Sequence, residues 1–195
     1  MHPYENIPLD SAGYVLAVWL IGLHLWMLLK PRQSIEFLQK LPRNRRLAPW
    51  FMGAGMLWFW MLVAPEGLGP VSKLEMDLGE FNRAKTMMRI LVPVTAFGMI
   101  MHVREFLAVR GMGLLALMAA APLLYAAFLE PPASRLLVSF YAYGLIFCGL
   151  FCVGMPYLMR DAITWVSKTG GRYRAAALAG LGYGVAVLVC TVLWW

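Results

Sequence analysis

Lys30–Arg46, KPRQSIEFLQKLPRNRR, decides how the rest of the chain is laid out. It holds six Lys or Arg residues against one acid, Glu36, and lies between two long apolar runs. A short loop of that charge stays on the cytoplasmic side of a bacterial-type membrane. Within it, Ile35, Phe37, Leu38 and Leu41 make a short amphipathic segment that fits the headgroup plane, with its cations reaching lipid phosphates. Pro42 ends that segment.

The composition agrees with a membrane setting. Of 195 residues, 61% are hydrophobic and only 14% are charged, whereas soluble domains carry about 25% charged residues. The net charge of +7 would raise nucleic acid as a partner for a soluble chain. Here the cations cluster beside apolar runs, so a bilayer with anionic headgroups explains them and nucleic acid does not. The three cysteines, Cys148, Cys152 and Cys190, all lie within apolar runs and read as small packing residues.

Outward from the basic loop, the chain divides into six spans at about 12–29, 47–64, 86–103, 112–129, 136–159 and 175–195. Each is near the roughly 20 residues that a helix needs to cross hydrocarbon. The fifth is long enough to tilt or bend near Pro156. Residues 1–11 contain no Lys or Arg, so the first span is expected to be retained with its N-terminus outside. Six crossings then place 12 of the 17 basic residues in three inner loops, Arg104 and Arg110 among them. The expectation is an all-α polytopic membrane protein, residues 1–195 forming one transmembrane domain with both termini on the periplasmic side of the cell inner membrane. The apolar runs are continuous rather than alternating, which excludes a β-barrel.

Two smaller features refine this. Residues 71–85 repeat apolar side chains at helical spacing, and Ser72 with Glu75 fits a capping box, so a short amphipathic surface helix is expected there. Gly79 weakens it. Arg32, Ile35, Phe37, Leu38 and Lys40 match Arg160, Ile163, Trp165, Val166 and Lys168 at one constant offset. Glu36-Phe37-Leu38 also recurs as Glu105-Phe106-Leu107. Three parallel helical hairpins would produce that pattern, and so would convergence among inner loops.

Chemistry-bearing residues are few. Arg89 lies inside the third span, where a charge is expensive unless it snorkels or finds a partner. Glu66, Glu80 and Glu130 are its local candidates. Tyr125, Tyr141 and Tyr143, with Tyr183, could line a polar seam for a ligand or partner. His24 and His102 fall at similar depth on two spans, a placement compatible with axial ligation of a b-type haem. Packing histidines are the plainer reading, and no cofactor is predicted. Gly53 in the second span, and Ala176, Gly180 and Gly184 in the last, offer small faces for close helix contact.

These features point first to a non-catalytic integral membrane subunit that packs within or stabilises a larger complex of membrane subunits. The alternatives are a small transporter or lipid- or anion-handling protein that uses Arg89, and a b-haem redox subunit that uses His24 and His102.

Overall fold

The computed structural model describes residues 2–103 and 105–195, so Arg104 of the second inner loop lies outside the described residues. The fold is all-helical, with no strand among the described residues. Its helices are α1 Leu9–Leu29, α2 Pro31–Lys40, α3 Ala48–Leu62, α4 Lys85–His102, α5 Leu107–Ala126, α6 Leu136–Gly154, α7 Pro156–Ser167 and α8 Gly170–Trp194. Five helical stretches are long and apolar enough to cross a membrane: Leu9–Leu29, Gly79–His102, Leu107–Ala126, Ala133–Gly154 and Gly170–Trp194. They fit a multi-pass membrane protein.

The second expected span, 47–64, forms a helix shorter than its apolar run. α3 has 15 residues, roughly 22 Å at the helical rise, against a hydrocarbon core of about 30 Å. Pro49 stands in its first turn, and Val63 leaves helical geometry just before Ala64 and Pro65. The bend expected near Pro156 is a full helix break. Met155, directly before that proline, takes φ −130° and ψ 65°, ending α6 and starting α7. A residue before proline is pushed out of the α region by the ring, so the break follows from the sequence.

Residues 71–85 do not form one helix. Two short 3-10 helices, Ser72–Leu74 and Gly79–Ala84, are separated by irregular backbone. Gly79 takes φ +57°, which interrupts any helical path. The Ser72 hydroxyl donates to the Gly69 carbonyl, and Glu75 is drawn away to Lys85.

Packing arranges the long helices in two groups. α1 pairs with α8, while α5 lies between α3 and α6, and α4 packs on α3. The groups meet where Leu16, Ala17 and Leu20 of α1 and Val187 of α8 pack with Ala127 and Val138. Small residues let the backbones approach: a Cβ on Gly111 would stand 2.5 Å from the Met52 nitrogen, and one on Gly113 would stand 2.8 Å from the Gly149 carbonyl oxygen. At one end of the bundle, α2 and α7 lie against each other. Gln39 donates to Ser167 there at 3.1 Å, a pair that the sequence match between the two elbows aligns. The third related segment takes another form, since Phe106 stands at φ 56° and leads straight into α5.

Candidate functional site

A connected set of polar side chains lies around the start of α4, away from these basic elbows. Lys85 and Arg89 are four residues apart and share a helix face. The Arg89 Nε donates to the Val63 carbonyl at 2.8 Å, and its Nη2 donates to the Ala64 carbonyl at 3.3 Å. Those carbonyls close the C-terminal end of α3, where unsatisfied acceptors and the helix dipole favour a cation. Glu75 Oε1 lies 2.9 Å from Lys85 Nζ and 4.0 Å from Arg89 Nη2. Trp60 completes the join by donating its indole N–H to the Arg89 carbonyl at 3.0 Å. Arg89 therefore faces the bundle and clamps α4 to α3.

Glu66, Asp77, Asn82 and Thr86 join Glu75, Lys85 and Arg89 around an open recess of about 590 Å³. Asp77 is held below the ordinary carboxylate range of 3.8, first by the Asn82 side-chain amide and then by the Gly79 backbone N–H. Of the acids expected near Arg89, only Glu66 lines this recess. The acid that pairs with it, Glu75, was masked in the sequence by its fit to a capping box. No group of three His, Cys, Asp or Glu side chains is placed to hold a metal among the described residues.

The tyrosines do not share one seam. Tyr141 and Tyr183 have ring centroids 6.3 Å apart, and the Tyr183 hydroxyl donates to the Leu137 carbonyl at 2.6 Å. Tyr125 belongs to a different cluster, 6.2 Å from Tyr4 and 6.5 Å from His2. There the Trp58 indole donates to the Tyr4 hydroxyl, and the His2 ring meets the Leu74 carbonyl at 3.0 Å. His2 and Tyr4 carry no signal in the sequence, because the irregular lead-in has no periodicity. Tyr143 is exposed on α6.

His24 and His102 serve separate surroundings. The His24 ring bonds the Leu20 carbonyl of its own helix and fills the notch over Gly180 of α8. His102 bonds the Gly98 carbonyl and is exposed on α4, whose helical neighbour is α3. Gly180 and Gly184 both face α1. Ala176 is exposed and Ala177 takes the inward position. Gly53 has nothing near its missing Cβ, whereas Gly55 packs on Leu114.

No family model, curated protein or solved structure matches this chain.

Proposed function

We propose that this chain is a non-catalytic integral subunit of a larger membrane complex, with α4 as the helix that meets the partner. One observation carries the reading. Of the five stretches long enough to cross a membrane, the one containing α4 is both the least apolar and the least buried. A chain alone in lipid should bury its most polar span and expose its most apolar ones. The exposed face of α4 runs through Met87, Ile90, Val94, Phe97 and Met101, an alternating three- and four-residue spacing suited to knobs-into-holes packing. Thr86, Thr95 and His102 are also exposed on α4.

In this reading α3 completes six crossings, the basic end faces the cytoplasm of the cell inner membrane, and both termini lie outside. Arg89 then holds the partner-facing helix in place. A small transporter or anion handler is the second reading, favoured by the recess that Arg89 borders.

A photo-crosslinking residue placed at Phe97 tests the proposal against the same residue at Phe140, exposed on α6. Phe97 is expected to join one defined membrane polypeptide that also co-purifies stoichiometrically in mild detergent, while Phe140 yields lipid adducts. A solitary, colourless chain with only lipid adducts at Phe97 would overturn the reading and move the weight to Arg89-dependent transport.

A further inference from the structure

The basic end of the bundle carries a feature that neither the clamp nor α4 uses. α1 and α6 end alike: Lys30 stands at φ −128° and ψ 61° before Pro31, and Met155 at φ −130° and ψ 65° before Pro156. Each proline opens a short amphipathic helix, and the two helices lie side by side. Besides the Gln39–Ser167 bond, the Tyr173 hydroxyl donates to Ser34 at 2.6 Å in a buried contact. Ile35, Leu38 and Val166 pack inward on Met27, Tyr173 and Ala177.

The outward faces differ in kind. Phe37 of α2 and Trp165 of α7 are 42% and 60% exposed. The two acids of these helices are already engaged, Glu36 with Lys40 at 3.4 Å and Asp161 with Arg160 at 2.7 Å. Arg32 and Lys168 are exposed with no acidic partner among the described residues, and the Arg172 guanidinium lies 4.7 Å above the Trp165 ring. Between the helices opens an apolar recess of about 170 Å³ lined by Leu38, Ala162, Ile163, Val166, Ser167 and Tyr173. Apolar cavities of that order hold a benzene-sized group.

We infer that the α2–α7 pair is a docking surface for an anionic phospholipid. Arg32, Lys168 and Arg172 supply the positive field that favours a net-negative headgroup, and part of an acyl chain enters the recess. Phe37 and Trp165 sit at the headgroup level, where amphipathic rings are most favourable. The pattern of cations around exposed aromatics, with the local acids already paired, matches an anionic leaflet in charge. A free phosphate would have no use for the apolar recess. This inference is independent of whether α4 meets a partner.

The test is native mass spectrometry of the full chain in detergent with phosphatidylglycerol or phosphatidylcholine of identical acyl chains, and with inorganic phosphate as competitor. Phosphatidylglycerol is expected to be retained about tenfold more tightly than phosphatidylcholine or better, and phosphate should not displace it. R32Q/K168Q/R172Q should remove that preference. A162W, which fills the recess from an exposed position, should weaken both lipids. Thermal melts establish that each variant folds. Independently, lipids brominated close to the headgroup should quench wild-type fluorescence more than that of W165F. Equal retention of the two lipids, displacement by phosphate, a preference that survives the folded triple variant, or Trp165 shielded from the quencher by a bound polypeptide would each overturn the inference.

Discussion

α8 and α4 are both of transmembrane length, and they are attached in opposite ways. α8 meets α1 along most of its course, with Tyr173, Ala177, Gly184, Val187 and Thr191 buried in turn. α4 buries only Lys85 and Val92 and is fixed near its N-terminus by Arg89, Trp60 and the Glu75–Lys85 pair. A seam of small residues gains stability from contact area and commits the whole inward face of the helix. A polar clamp commits a few side chains at one end and leaves the rest of the helix uncovered. The first device suits a helix that only has to stay in place. The second suits one whose face is needed elsewhere.

The comparison breaks most easily at the backbone-to-backbone seams. Gly111→Ala would drive a Cβ into the Phe51–Met52 backbone of α3, which cannot yield as a side chain can. Overpacking of that kind should destabilise the bundle by about 3 kcal/mol. Gly22→Ala on α1, where nothing lies within 4 Å, should leave stability unchanged or raise it by up to about 1 kcal/mol. Unfolding in mixed micelles with rising SDS measures both. Equal effects at Gly111 and Gly22 would show that the seams carry no special weight.

Arg89→Gln addresses the other device. It removes the charge that serves the Val63 and Ala64 carbonyls and leaves Glu75 with Lys85 alone. Hydrogen bonds to a charged group are worth about 1.5–3 kcal/mol, and partial exposure of the guanidinium reduces that, so a loss of about 1–2 kcal/mol is expected. The sharper readout is local. Hydrogen exchange over the first turns of α4 should quicken while α8 stays protected. Uniform loss of protection across both helices would show that α4 is not a separately attached element.

The same contrast explains what could be read in the sequence. Lys30-Pro31 and Met155-Pro156 announce their breaks because the steric effect of proline is local. Gly180 and Gly184 announce a seam because small residues at turn spacing have few other uses in an apolar helix. Strict four-residue steps put Ala176 on that seam, but each such step drifts about 40° around the helix. The inward-facing row instead alternates four and three through Tyr173, Ala177, Gly180 and Gly184, which brings Ala177 inward. The clamp was only half legible. A lone Arg in a span marks a site, yet its acceptors are two backbone carbonyls 26 and 25 residues away, and backbone acceptors leave no trace in side-chain identity. In residues 71–85 the apolar spacing suggests one helix, whereas in the fold the Glu75 contact to Lys85 and the φ of Gly79 prevail.

The smallest expected effect tests how the α1–α8 seam tolerates a bulky imidazole. His24 occupies the space that a Gly180 side chain would need, with its Nδ1 tied to the Leu20 carbonyl at 2.7 Å. A ring is movable where a backbone is not, so Gly180→Ala should cost only about 1 kcal/mol, less than Gly111→Ala. His24→Ala empties the notch and should itself be mildly destabilising. Combining them lets the new methyl group use the vacated space, so the double variant should be more stable than the sum of the single losses predicts. Coupling of about 1 kcal/mol in that cycle would fix His24 as a packing residue matched to Gly180. Additive losses, accompanied by a visible absorption band that His24→Ala abolishes, would instead make the imidazole a cofactor ligand and reopen the haem reading for this end of α1.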